Sequence, residues 1–417
     1  MKVLFITGEY PPMRGGIADH VAVLRQALGR LDVSSAVLTS KSAVDPSHGD
    51  DILPIVSNWS FSAWLLIVRS IRRTGADLVH LQYQTGAFSL SPAINLLPLW
   101  LRLAVGVPVI TTMHDLREPY MFPKAGRLRR WANSVLVRAS TAVVATNPED
   151  YYALLQTASS RLWPFATSPT VVPIPLGNNL TPVSTDNIPK AIWRRDTGLV
   201  EDGLVICYFG MLNRTKGVDT LFKSLRLLLD GGVSCQLIML GEDIGSSDRT
   251  NESYKDTVVS LASELGIEDK IVWTGYLSNE ELSQAFQASD ICVLPFEDGA
   301  SLRRSSLLAV LSHGVPVITT APAISQETAL DGSKMHDLSA VFPHIADGIN
   351  CLTAPPRSPE ALAGAVRRLM DDRQLRHRLS MGGIEMAEKL SWEKMAERTA
   401  DMYSQLLAAR KEALVHE

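Results

Sequence analysis

The chain has 417 residues, 46% of them hydrophobic and 20% charged, a length that exceeds one ordinary core and a composition typical of a soluble globular protein. Its net charge of −4 excludes a general nucleic-acid binder, but residues 1–180 carry +5 and the remainder −9, so two domains with different partners are expected. Cys207, Cys235, Cys292 and Cys351 have neither a disulfide nor a zinc spacing and read as reduced core thiols of a cytosolic protein.

Short apolar runs alternate with helical patterns along the chain. The opening Met1-Lys2-Val3-Leu4-Phe5-Ile6 is too short an apolar run for a signal peptide. Strands are predicted at Val3–Thr7, Ser35–Leu38, Leu78–Leu81, Val107–Thr111, Ala142–Thr146 and Val171–Pro173, then at Leu204–Phe209, Gln236–Leu240, Ile271–Trp273, Ile291–Leu294 and Val317–Thr319. Between them, Ile17, Val21, Leu24, Leu28 and Val218, Leu221, Leu225, Leu228 recur at helical spacing. The stretch Phe88 to Ile110 is the most apolar, but Pro92, Pro98, Arg102, Gly106 and Pro108 break it into a helix and a strand and exclude a membrane span. Residues 173–189 are rich in Pro, Gly and Asn and read as a hinge. The pattern implies an α/β chain of two doubly wound, Rossmann-like domains with parallel sheets facing across a cleft, and ligand at the carboxyl ends of the strands.

Four strand ends carry candidate chemistry. Gly15 and Gly16 open the first helix, where backbone N–H groups can approach an anion; a tight turn is the alternative. The run Gly210-Met211-Leu212-Asn213-Arg214-Thr215-Lys216-Gly217 puts two cations and a glycine before a helix without the P-loop spacing. Asp298-Gly299-Ala300-Ser301-Leu302-Arg303-Arg304-Ser305-Ser306-Leu307 makes a second anion-ready helix start, with Asp298 able to accept from sugar hydroxyls. His114 ends a strand and can point into the cleft, and His80-Leu81-Gln82-Tyr83-Gln84 is polar enough to line the same surface.

In order, Gly15-Gly16, His114, Lys216-Gly217, Leu240-Gly241, Thr274-Gly275-Tyr276, Ser289–Pro295, His313-Gly314-Val315-Pro316-Val317 and Ser391-Trp392-Glu393 resemble the family 4 glycosyltransferases, retaining enzymes of the GT-B fold. The resemblance runs nearly the full length. It implies an acceptor-binding domain at 1–180, completed by a final helix at about 391–417, and a nucleotide-sugar domain at 181–390. It further implies that Lys216 and the helix start at Ser305, Ser306 and Leu307 hold the diphosphate, with Gly16 closing over it. Tyr276 would frame the base, Asp298 with Gly299, Ala300 and Ser301 the sugar, and His114 would contact that sugar; His114, Lys216 and Asp298 are the catalytic candidates. Two departures stand out. The family's E-x7-E positions hold Ser301 and Ala309, with Asp298 in place of the first glutamate, and Met211 stands where an arginine usually binds the diphosphate. Arg214, Arg303 or Arg304 could restore that charge, with Asn213 as a further donor.

The expected reaction is metal-independent transfer of a hexose from a nucleotide sugar, UDP-linked before GDP-linked, to a saccharide or lipid-linked saccharide in bacterial surface-polysaccharide or glycolipid assembly. No D-x-D motif implies a metal, and no cofactor is expected. A catalytically silent nucleotide-sugar-binding scaffold is the alternative from another class. Lys124, Arg127, Arg129, Arg130 and Arg138, with Leu128, Trp131 and Val135, form either a solvated helix or one that rests on an anionic leaflet. The expected location is the cytoplasm, or the inner face of its membrane.

Overall fold

The computed structural model describes all residues except 14, 115, 117–125, 160–167, 185–187, 242–249, 323–337 and 417, and omits the side chains of 126–129, 250–253 and 414–416. Arg14, Asp115 and Lys124, and the side chains of Arg127, Leu128 and Arg129, therefore lie outside the described residues. The chain divides into two compact units, Met1–Asn179 with Ser391–Glu417, and Leu180–Leu390.

The first unit holds a seven-stranded sheet. Its strands are β1 (Lys2–Thr7), β2 (Ser34–Ser40), β3 (Ile52–Val56), β4 (Leu78–Tyr83), β5 (Val109–Met113), β6 (Ala142–Ala145) and β7 (Thr170–Pro173). All pairs are parallel, in the order β3-β2-β1-β4-β5-β6-β7. Because helices cover both faces, the central strands are apolar on both sides and read as continuous runs. One core layer packs Ile67, Ile71, Ile94, Leu97, Leu101 and Leu136 on Leu4, Ile6, Val79 and Leu81. The other packs Ile17, Val21, Leu24 and Leu28 with Trp392, Met395 and Tyr403 on Val3, Phe5, Leu78 and Ile110. The last helix, Trp392–His416, thereby completes this unit. Gly177 makes room for it, since a Cβ there would stand 2.5 Å from the Trp392 ring.

The second unit holds β8 (Leu204–Phe209), β9 (Cys235–Leu240), β10 (Ile271–Trp273), β11 (Ile291–Leu294), β12 (Val317–Thr320) and β13 (Leu352–Ala354), all parallel, in the order β10-β9-β8-β11-β12-β13. Strand order reverses beside β1 in one unit and beside β8 in the other. Ligands of open α/β sheets sit at such switch points, outside the carboxyl ends of the strands. The predicted helices occur at Gly16–Gly29 and Val218–Asp230, and the broken apolar stretch is a helix, Pro92–Ala104, followed by β5.

Two strands lay outside the sequence reading. β3 carries Pro54 and pairs with β2 through an irregular register at Thr39/Ser40, which only an edge strand tolerates. β13 is an edge strand of only Leu352-Thr353-Ala354, without the β-branched and aromatic run that marks the equally short β10, Ile271-Val272-Trp273.

Candidate functional site

In the second unit, two loops meet at the switch point. One follows β8 and the other follows β11, its neighbour in the sheet. Gly217 has φ +69, and a Cβ there would lie 2.1 Å from the Pro295 carbonyl oxygen, so only glycine lets the loops approach this closely. The Glu297 N–H then donates to the Thr215 carbonyl at 2.9 Å.

This approach puts two cations on one ring. Lys216 Nζ lies 5.1 Å and Arg304 Cζ 4.8 Å from the centroid of the fully buried Phe296. Arg304 also pairs with Asp298. Burial, and then the Arg304 charge, lower the Lys216 pKa to about 8, with Asp298 acting in the opposite direction. Two positive charges therefore face one carboxylate, and the surplus charge sits in a partly desolvated place.

Beside them begins the helix Ser305–Ser312, which no side chain caps among the described residues. Among the described residues the buried hydroxyl of Ser306 has no hydrogen-bond partner, and it lies against Gly210, whose φ is +134. Uncapped helix N–H groups, a waiting hydroxyl and surplus positive charge are the elements of an anion site. The Leu307 N–H already donates to the Arg304 carbonyl at 3.0 Å, so the outward groups of this turn are those of Ser305 and Ser306.

The other expected residues are placed less uniformly. Asn213 Oδ1 accepts from Thr215 Oγ1 at 2.8 Å and stiffens the turn, on which Arg214 stands exposed. Arg303 is half-buried. Of the three arginines left open by the sequence, the structure puts Arg304 with Lys216 over Phe296. Gly299 turns the chain at φ +84, Ala300 is buried with its N–H donating to the Thr320 carbonyl at 3.3 Å, and the Ser301 carbonyl accepts from the Arg304 N–H at 3.0 Å. Tyr276 is 71% exposed, just beyond β10. Ala309, in the middle of the helix Ser305–Ser312, is fully buried. Phe296, the platform under both cations, was missed by sequence reasoning; its position next to Pro295 at a strand end was the available signal.

In the first unit, Gly8 is required by space, whereas Gly15 faces only the movable end of the Glu9 side chain. A Cβ on Gly8 would lie 2.0 Å from the Ala87 carbonyl oxygen, and one on Gly15 2.6 Å from Glu9 Oε2, whereas one on Gly16 would meet nothing within 4 Å. Gly15 caps the helix Gly16–Gly29 without any side-chain bond. His114, just past β5, bonds through Nε2 to Gln82 Oε1 at 2.8 Å, and its ring stands edge-on to His20, with centroids 4.7 Å apart. Burial lowers the His114 pKa to about 4, so the ring is neutral at pH 7 and serves as a hydrogen-bonding group.

The expectation that residues 80–84 line the same surface is corrected for 80–83, while Gln84 is half-buried. His80, Leu81, Gln82 and Tyr83 are all buried. His80 bonds Tyr403 Oη at 2.5 Å and Thr112 Oγ1 at 2.7 Å, and burial lowers its pKa to about 3. Gln82, expected to line that surface, instead supports His114, as does His20, which sequence reasoning did not single out. All four cysteines are buried and unpaired. Among the described residues no group of three or more His, Cys, Asp or Glu is placed to hold a metal ion, and no helix is long and apolar enough to cross a membrane.

Comparison with known proteins gives concordant results. The family described as glycosyl transferases group 1 matches residues 189–386, and the glycosyl transferase 4-like domain matches residues 15–157. A D-inositol 3-phosphate glycosyltransferase of Streptomyces griseus is 22% identical over 326 residues, 75% of this chain and 65% of that protein. The alpha-D-kanosaminyltransferase of Streptomyces kanamyceticus is 22% identical over 381 residues, 87% of this chain and 86% of its own. The match thus spans just under two thirds of the first relative's length. Among solved structures, a sucrose-phosphate synthase from Thermosynechococcus elongatus superposes with a TM-score of 0.70 at 21% identity, covering 98% of this chain and 100% of that one. Anabaena HepE in complex with UDP-glucose gives 0.67 at 16% identity, covering 97% and 100%.

Proposed function

The chain belongs to the group 1 glycosyl transferases, with a family 4-like amino-terminal region and the GT-B fold, and from this premise we propose that it transfers a hexose from a nucleotide sugar to a hydroxyl acceptor with retention of configuration. The observation that carries the proposal is the surplus cation over Phe296, beside the uncapped helix start and the unpartnered Ser306 hydroxyl.

Breaking the anomeric bond moves negative charge onto the diphosphate. Lys216 and Arg304 stand where that charge would develop and stabilise the transition state more than the ground state. Two fixed cations supply this without a metal. In the same reading Asp298 and the Gly299-Ala300-Ser301 backbone hold the sugar, Tyr276 frames the base, and the neutral His114, whose Nε2–H donates to Gln82, has Nδ1 left to accept from a substrate hydroxyl. Residues 181–390 take the donor; the first unit, with Gly15 and Gly16 at its helix start, takes a saccharide or lipid-linked saccharide acceptor.

UDP is the favoured nucleotide, supported by the UDP-glucose complex of the structurally similar HepE. The favoured setting is assembly of a bacterial surface polysaccharide or glycolipid. Calorimetric titration with UDP-, GDP- and ADP-sugars, followed by slow donor hydrolysis without acceptor, tests the proposal. Binding without hydrolysis or transfer to any acceptor would instead identify a silent scaffold.

A further inference from the structure

The helices Ala63–Thr74 and Pro92–Ala104 pack side by side on one face of the first unit's sheet through Ile67, Ile71, Ile94, Leu97 and Leu101. They are joined on their outer side by the stacked rings of Trp64 and Trp100, with centroids 4.7 Å apart, and Phe61 stands edge-on to Trp64 at 5.1 Å. Around this aromatic seam the apolar side chains face outward. Leu103 is 76% exposed, Leu65 63% and Phe61 54%. Leu96 and Leu99, half-buried, continue the stripe at helical spacing toward Leu103.

The polar residues of this face have one sign. Leu65, Arg69, Arg72 and Arg73 share the exposed side of their helix, and Arg102 is half-buried beside Leu103. Between Asp51 and Asp115 the only carboxylate is Asp77, which accepts from the Lys2 backbone N–H at 2.7 Å. Among the described residues no ion pair neutralises Arg69, Arg72 or Arg73.

Exposed leucines and aromatics ringed by arginines, without acids, match an interface that is anionic at its surface and apolar beneath it. We propose that this two-helix face docks the first unit onto an anionic lipid bilayer, with Phe61, Leu65 and Leu103 entering the headgroup boundary and the arginines holding lipid phosphates. An acidic protein would satisfy the arginines but leave the scattered leucines without counterparts. The surface differs from the one expected on residues 124–138, and it is independent of the donor site.

The test uses the full chain and vesicles of equal parts phosphatidylglycerol and phosphatidylcholine, against vesicles of phosphatidylcholine alone, in sedimentation at low salt. The expected result is binding to the anionic vesicles only. A cation near such a surface is worth about fivefold in partitioning, so Arg69→Gln/Arg72→Gln/Arg73→Gln should weaken it by about a hundredfold. Leu65→Gln/Leu103→Gln should weaken it by at least about tenfold and should do so equally at high salt. All five side chains are exposed, so unchanged melting temperature and unchanged UDP titration establish that the variants fold. Absence of binding by the wild-type chain, or equal binding by both variants, overturns the proposal. A concentration-dependent dimer abolished by Leu65→Gln/Leu103→Gln would also overturn it, in favour of a second copy as the occupant.

Discussion

Replacing Lys216 by methionine keeps the unbranched apolar stem beside Phe296 and removes the ammonium with its charge. Since its pKa is lowered to about 8 by burial and by Arg304, the lysine is charged at pH 7 and loses its proton within the range of a binding assay. UDP is fully ionised above its own second pKa of about 6. Affinity should therefore be flat from about pH 6.5 to 7.5 and then fall as pH rises through 8, approaching tenfold per unit. Losing one charge-assisted phosphate contact costs about 3 kcal/mol, so Lys216→Met should bind UDP about a hundredfold more weakly at pH 7. Its pH profile should be flat above pH 7.

The ligand-free protein should respond in the opposite direction. A lysine whose folded pKa lies below its ordinary 10.5 disfavours the fold while it is charged, at every pH below 8, and that cost disappears as pH rises from 8 toward 10.5. The shift corresponds to about 3 kcal/mol, so Lys216→Met should melt several degrees higher at pH 7. Isothermal calorimetry across pH and scanning calorimetry measure both. A wild-type affinity that stays level to pH 9.5, or a variant that keeps the wild-type slope, would refute the placement of Lys216 on the diphosphate.

Other substitutions examine the supporting structure. Gly217→Ala combines a left-handed φ with a clash at the Pro295 carbonyl; it should lose at least about 2 kcal/mol in denaturant melts and lose UDP binding with it, whereas native stability would refute the close loop approach. Ala309→Glu places the family's second glutamate in a fully buried position, so it should destabilise by about 3 kcal/mol or more and not improve nucleotide affinity; a tighter-binding, stable variant would show that the helix is rotated from its described position. Gln82→Leu removes the acceptor that orients His114 and should lower the rate of donor hydrolysis by about tenfold with UDP affinity unchanged, which kinetics and calorimetry together resolve.

How much of this was legible in the sequence depends on how local each feature is. Parallel strands buried on both faces announce themselves as apolar runs, and all strands between the sheet edges were readable in this way. Of the edge strands, β7 and β10 were readable too, but β3, which contains Pro54, and β13, which offers only Leu352-Thr353-Ala354, were not. The two anion loops were visible as glycines and cations at strand-to-helix junctions. Their partners were not: the choice of Arg304 over Arg214 and Arg303, its pairing with Asp298, and the shared Phe296 ring all follow from two loops brought together by neighbouring strands. His80 illustrates the reverse error. A polar residue at a strand end looked accessible, but Tyr403, 323 positions away in the chain, covers it.

The most direct test of a nucleotide-sugar site on the second unit is calorimetric titration of the purified chain with UDP, GDP and ADP and their hexose conjugates, without added metal. Saturable one-site binding of one nucleotide, weakened about a hundredfold in Lys216→Met, is the predicted result. No binding of any of them, or binding that Lys216→Met leaves untouched, would contradict it.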